Sequence, residues 1–211
     1  MVHIYYTSLE GECSRLLHRL GRYLPPAMYR QMQAYRFEKD ACRYLLGKML
    51  LLKGLVARGY PSDILSAIQY NECNKPWLNE TVSFNISHSG DHIICALSGS
   101  LHVGIDIEQV RPVELTDFTD CFSTTEWECM RNSDNLLNSF YQFWTRKEAV
   151  LKADGRGLGI PLNEFEVVND KVLVGAAAWH LKALDMLEGY AIHIASSDQV
   201  SSAISLHDIR F

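Results

Sequence analysis

The strongest periodic signal in the chain runs from Arg36 to Gly59, where Phe37, Ala41, Leu45, Met49, Leu52 and Val56 recur at intervals of three and four. That spacing lays one apolar stripe along an α-helix, and such a helix needs a surface on which to bury it. Arg36, Lys39 and Arg43 stand on another face of the same helix and are expected to point outward. The surface comes from a run of strands. Residues 82–86 (Val-Ser-Phe-Asn-Ile) and 92–97 (His-Ile-Ile-Cys-Ala-Leu) flank a polar turn, Ser87-His88-Ser89-Gly90, and a third strand, His102 to Glu108, follows after Ser98-Gly99-Ser100. This is a meander. A strand over residues 2–7 opens the chain, and a short basic helix from about Ser14 to Leu24 follows it. Pro25-Pro26 then interrupts that helix and can open the next, because proline suits only a first turn.

A second long helix is expected from about Leu136 to Ala153. The glycines at 155, 157 and 159 that end it follow a helix, whereas phosphate-binding glycine loops precede one. Gly155 therefore reads as a C-cap and the rest as a mobile loop. Later strands are expected at Phe165–Val168, Lys171–Val174, Ala176–Leu181, Tyr190–Ser196 and Ser201–Asp208, which makes the fold class α+β.

Composition narrows the function. The longest apolar stretch, Val172 to Trp179, is broken by a glycine and falls well short of the roughly 20 residues a bilayer requires. Residues 1–7 lack a charged and then apolar leader, so a cytoplasmic protein is expected, with no membrane or nucleic-acid partner. The six cysteines are scattered without a C-x-x-C, which speaks against a zinc knuckle or redox motif. The net charge of −5 divides unevenly: residues 1–102 carry +3 and residues 103–211 carry −8. Ten basic residues against two acids lie between Arg15 and Arg58, a composition suited to a compact anion or to a solvated helix face.

In Val103-Gly-Ile-Asp-Ile-Glu108, period-two geometry puts Asp106 and Glu108 on one strand face, with Ile105 and Ile107 behind. Two such carboxylates need a cation between them or a solvated edge. Trp144, Glu148 and Lys152 fall at i, i+4 and i+8, so Glu148 can supply a third ligand, or pair with Lys152 on an exposed helix. Three oxygen donors without His or Cys suit Mg²⁺ or Mn²⁺. A Ser87-His88 nucleophile pair is disfavoured, since adjacent residues in a turn rarely face one another.

Four stretches in this order, Asn74-Lys-Pro-Trp77, Phe84-Asn-Ile-Ser-His-Ser-Gly90, Val103–Glu108, and Phe143-Trp-Thr-Arg-Lys-Glu-Ala-Val-Leu-Lys152 with the following Ala-Asp-Gly-Arg-Gly-Leu158, resemble the Sfp-type 4′-phosphopantetheinyl transferases. Asp40 and Arg43 extend the likeness. The resemblance implies transfer of the 4′-phosphopantetheine arm from coenzyme A to a serine of an apo acyl or peptidyl carrier protein, with release of 3′,5′-ADP. A coenzyme A-binding protein without turnover is the alternative. It implies a pseudo-dimer of two similar α+β halves with the site in the cleft between them: residues 1–102 on the nucleotide side, residues 103–211 bearing the carboxylates and the catalytic helix. Asp106, Glu108 and Glu148 are then the Mg²⁺ ligands, and Glu148 and Lys152 the catalytic residues. Arg43, Lys75, Pro76, Ser87 and His88 would bind coenzyme A; the family's basic residues upstream of Asp40 do not align cleanly here, which leaves Arg30 and Arg36 as candidate phosphate ligands or solvated side chains. A monomer is expected. The chain departs from the family pattern at Asn74, where a glycine usually precedes Lys-Pro.

Overall fold

The computed structural model describes residues 1–200 and 204–211. In chain order the elements are β1 (Val2–Ser8), α1 (Cys13–Leu20), α2 (Pro26–Gln33), α3 (Glu38–Val56), β2 (Gln69–Tyr70), β3 (Pro76–Trp77), β4 (Ser83–Ser89), β5 (His92–Ser98), β6 (Val103–Gln109), α4 (Thr124–Arg131), α5 (Leu136–Asp154), β7 (Lys171–Val174), β8 (Ala177–Ala183), β9 (Tyr190–Ser196) and β10 (Ser205–Asp208). The architecture is α+β. Two four-stranded sheets have the orders β10-β1-β5-β4 and β6-β9-β8-β7.

One topology occurs twice. A strand leads into a 19-residue helix, then into an antiparallel hairpin whose second strand returns antiparallel to the first: β1, α3 and β4-β5, then β6, α5 and β8-β9. The last strand, β10, crosses back to lie parallel to β1. The layers follow from period two in β5: Ile93, Cys95 and Leu97 face α3, whereas Ile94 and Ala96 face the other sheet. There they join Val2 and Ile4 against Ile105, Ile107, Ile192 and Ile194. Each such fully buried side chain stabilises the fold by about 1.5–3 kcal/mol. Helix α5 covers the opposite face of the second sheet, with Ala149, Val150 and Ala153 packed near Trp179, Leu181 and Ala195. Gly104 permits this close seating, because a Cβ there would overlap the backbone of Ala149 and Ala153.

Several sequence expectations need correction. The basic helix over 14–24 ends at Leu20 and continues as a 3-10 turn, Gly21–Tyr23, before Pro26 opens α2. The ends of the apolar stripe, Phe37 and Val56, are exposed at 60% and 45%, while Cys42, Leu46, Leu50 and Leu51 off the stripe are buried. Helix α3 lies between the first sheet and α1 with α2, so burial wraps around it. Ser87 and Ser89 are not turn residues. Strand β4 runs through Ser89, and the turn is Gly90-Asp91, with Gly90 at φ +56. Residues 165–168 form no strand, because side chains take their backbone groups: Lys147 the Phe165 carbonyl, Glu126 the Val167 N–H and Arg146 the Val167 carbonyl. Gly155 caps α5 at φ +84 as expected, but residues 157–159 form a 3-10 turn. Of the strand expected over 201–208, residues 201–203 lie outside the described residues. No helix among the described residues is long and apolar enough to cross a membrane. The six cysteines are free thiols.

Candidate active site

The two sheets abut along a seam where β4 and β6 run in the same direction, with side chains doing the work of a backbone ladder. Three N–H groups of β6 donate to alternate side chains of β4: Val103 to Ser83 Oγ (3.0 Å), Ile105 to Asn85 Oδ1 (2.9 Å) and Gln109 to Ser89 Oγ (3.1 Å). Period two aims residues 83, 85, 87 and 89 at β6. At the third of these positions the pattern changes. Ser87 Oγ donates to Asp106 Oδ1 at 2.8 Å, and Lys152 Nζ from the last turn of α5 donates to both, at 2.9 Å to Ser87 and 2.5 Å to Asp106. One step along, Ser89 Oγ donates to Glu108 Oε2 at 2.6 Å.

Asp106 is only 2% exposed, which removes the solvated-edge reading of this strand, and its Oδ2 is buried without a hydrogen-bond partner. Burial raises the pKa of Glu148; Lys152 opposes this, and the charges of Asp106 and Glu108 add to the rise. Burial also raises Glu108, against the Ser89 hydrogen bond, with the Asp106 charge contributing. The charges of the three carboxylates thus bear on one another, and Lys152 is the cation common to them. Lys152 reaches across to Asp106 and does not form the exposed helical pair with Glu148.

A hard divalent cation fits this chemistry: all donors are oxygens, one buried carboxylate oxygen is unpartnered, and the acids outnumber the ammonium. Among the described residues no three His, Cys, Asp or Glu groups stand close enough to hold such an ion as they are. Lys152 occupies Asp106 Oδ1 instead.

A cavity of about 210 Å³ opens beside this cluster, lined by Lys75, Pro76, Asn85, Glu148, Lys152 and Gly155. The 71–75 loop builds its rim. Asn71 Oδ1 accepts from the N–H groups of Cys73 and Lys75, and Asn74 sits at φ +61, the only positive φ of a non-glycine among the described residues. Asparagine is one of the few residues tolerant of that region, so the departure from glycine leaves the turn intact. Lys75 Nζ donates to the Ala153 carbonyl at 2.6 Å, and burial lowers its pKa against the opposing charge of Asp154.

His88 points to the opposite side of β4 from Ser87, so the two form no nucleophile pair. Partial burial lowers its pKa, and Arg43 and Lys152 add to the effect. Arg43 spends its fork on the hairpin turn, with Nε and Nη2 donating to the Gly90 carbonyl at 3.0 and 2.6 Å, and Nη1 to Asp40 Oδ1 at 2.8 Å. The structure therefore brings Ser87, Asp106, Lys152, Glu148, Lys75 and Pro76 to one cleft, places Glu108 beside them through Ser89, and sets His88 and Arg43 on the α3 side of β4. Arg36 lies over the Phe37 ring at 5.3 Å, away from this network.

Sequence reasoning overlooked four supports. Asn85 and Ser89 carry the seam, and their shared parity with Ser87 was the available signal. Thr145 Oγ1 and His193 Nδ1 meet at 2.8 Å, holding α5 to β9 directly opposite Asp106. Burial, with Arg146 adding, pushes the His193 pKa down to about 3, so this imidazole is neutral. Lys147 and Glu126 form a buried ion pair behind the site, and the Ser123-x-x-Glu126 capping box was legible in sequence.

Comparison with known proteins converges on the same region. A family model described as the 4′-phosphopantetheinyl transferase superfamily matches residues 102–195, the stretch that contains β6, α5 and β9. The 4′-phosphopantetheinyl transferase gsp of Aneurinibacillus migulanus is 36% identical over 130 residues, covering 60% of this chain and 54% of that protein. A 4′-phosphopantetheinyl transferase of Bacillus subtilis is 36% identical over 137 residues, covering 62% and 59%. The chain thus spans little more than half the length of these two relatives. The 4′-phosphopantetheinyl transferase Sfp of Bacillus subtilis (strain 168) is 35% identical over 156 residues, 71% of this chain and 68% of the relative. With likeness of that extent to a named transferase, and the matched region holding the acids and lysine gathered at the seam, the chain belongs to the 4′-phosphopantetheinyl transferase superfamily.

Proposed function

We propose that the chain transfers the 4′-phosphopantetheine arm of coenzyme A to a serine hydroxyl of an apo acyl or peptidyl carrier protein, releasing 3′,5′-ADP. The observation that carries this reading is the Lys152–Ser87–Asp106 contact at the seam, with Asp106 Oδ2 unpartnered and Glu108 and Glu148 beside it. Asp106, Glu108 and Glu148 would hold Mg²⁺ or Mn²⁺, which when bound would neutralise charge on the pyrophosphate of coenzyme A.

The chain's own groups have separate tasks. The carrier serine oxygen bonds to the phosphorus that bears the pantetheine arm, and the bond from that phosphorus to the leaving 3′,5′-ADP oxygen breaks. Glu148, on the wall of the cavity, is placed to take the serine proton. Lys152 offsets the negative charge that collects on the departing phosphate. Residues 1–102 would supply the nucleotide side: Lys75 and Pro76 at the cavity rim, Ser87 at the seam, and Arg43 with His88 on the α3 side of β4. Residues 103–211 would supply the acids and α5. The uneven charge supports this division, since the basic half can meet phosphates directly and the acidic half through a cation and Lys152.

The test is incubation with coenzyme A, Mg²⁺ and a panel of apo carrier proteins, followed by mass spectrometry. The arm's mass should appear on a carrier serine, and Asp106→Asn should abolish transfer while the circular dichroism spectrum is unchanged. No mass gain on any carrier would overturn the reading.

A further inference from the structure

Asp106 and Lys152 are unequal partners. Asp106 sits on β6, the strand of its sheet that lies at the seam, with its side chain 3% exposed and fixed between β4 and α5, whereas the Lys152 side chain is 28% exposed and stands in the last turn of α5. The lysine stem is flexible, and it lines the cavity that also reaches Glu148, Lys75 and Gly155. Its ammonium can therefore turn aside into open space, while the carboxylate cannot follow. Two acceptors hold the ammonium where it is, Asp106 Oδ1 and Ser87 Oγ, and both lie on the seam. Of the three acids only Asp106 pairs with this ammonium, so a divalent ion would bring a second positive charge to carboxylates that the lysine leaves without a partner ammonium. An ammonium on Asp106 Oδ1 also repels any cation that approaches the unpartnered Oδ2 of the same group.

We infer that Lys152 and a hard divalent cation compete for the Asp106 carboxylate, so that cation binding releases the lysine into the cleft where phosphate chemistry would use it. This rests on the reading of Asp106, Glu108 and Glu148 as cation ligands. Lys152 is then more than a phosphate contact: it is an internal counter-ion that weakens cation binding until a phosphate offers it another partner. A lysine serving only as a phosphate contact would leave cation affinity unchanged when removed.

The experiment uses the full chain with Mn²⁺ alone, without coenzyme A or carrier, and follows free Mn²⁺ by electron paramagnetic resonance. Lys152→Met should bind Mn²⁺ roughly 10-fold more tightly than the parent protein. Its Tm should lie below the parent's in chelator and recover with saturating Mn²⁺, because the buried carboxylate loses one counter-charge and regains another. Lys152→Gln, whose neutral amide can still donate to Asp106, keeps the test open if the Met variant does not fold. Asp106→Asn should lose Mn²⁺ binding. Equal or weaker affinity in the folded Lys152 variants would overturn the inference and leave the cation site standing. No Mn²⁺ binding by the parent protein or either variant would overturn both.

Discussion

Lys147 and Glu126 form an ion pair of 2.9 Å in which neither side chain is exposed to solvent. The Lys147 ammonium also donates to the carbonyls of Leu162 (2.7 Å) and Phe165 (2.6 Å), so its three protons are used. Glu126 in turn accepts from the N–H groups of Ser123 and Val167. The pair thereby ties residues 160–167 and α4 to α5, one position from Glu148. Removing one partner strands a buried charge, so Lys147→Met or Glu126→Gln should each cost about 3–5 kcal/mol in urea unfolding. The double replacement Lys147→Met with Glu126→Gln should cost less than the two single losses together. Additive losses would show that the charges are not coupled.

Gly104 sets the distance between the strand of Asp106 and the helix of Lys152. In Gly104→Ala the new Cβ meets helix backbone, which cannot rotate away as a side chain would. The variant should lose about 1–3 kcal/mol of stability, and its transfer rate should fall because β6 moves away from α5. Unchanged stability would mean that the strand can shift freely.

Asn74 keeps a glycine's conformation with a side chain. Asn74→Gly should change Tm little, while Asn74→Val should cost about 1–2 kcal/mol and raise the KM for coenzyme A by disturbing the Lys75 rim. Val at equal stability and equal KM would show that the turn adapts.

The C-terminal strand is tied to β1 by stacked imidazoles. His3 Nδ1 and His207 Nε2 lie 3.0 Å apart, and the His207 ring stacks on Tyr5 at 4.5 Å. Burial lowers the His3 pKa, with Arg58, His207 and the terminal amine adding to it. The folded state thus resists a proton that the unfolded chain accepts near pH 6.5. Stability contributed here is present above that pH and lost as pH falls through it. His3→Gln, which removes the group whose pKa is lowered, should flatten the decline in Tm between pH 7.5 and about 5.5 relative to the parent. Parallel curves would place the pH sensitivity elsewhere.

The elements carrying the site were readable because their signals are local. The alternation in Val103–Glu108 put Asp106 and Glu108 on one face, and the spacing of Trp144, Glu148 and Lys152 put these on one stripe of a helix. Gly155 marked the end of that helix, and Pro26 the start of α2. Residues 165–168 misled because an apolar run resembles a strand whether or not neighbouring strands take its backbone groups. The Ser87–Gly90 segment misled because a polar composition does not distinguish a turn from a strand edge aimed at polar partners.

The sequence by itself carried the family resemblance, the strands and helices around the seam and the candidate site residues, since periodicity and motif order are properties of nearby positions; that one strand-helix-hairpin topology occurs twice shows only in the structure. Only the tertiary structure decided what those residues touch. Lys152 could have paired with Glu148 one turn away, yet it joins Ser87 and Asp106, from strands 65 and 46 positions distant. That choice belongs to the seam: β4 and β6 meet through side chains, which excludes water around Asp106 and leaves a buried carboxylate whose demand for a counter-charge outweighs that of a helix neighbour.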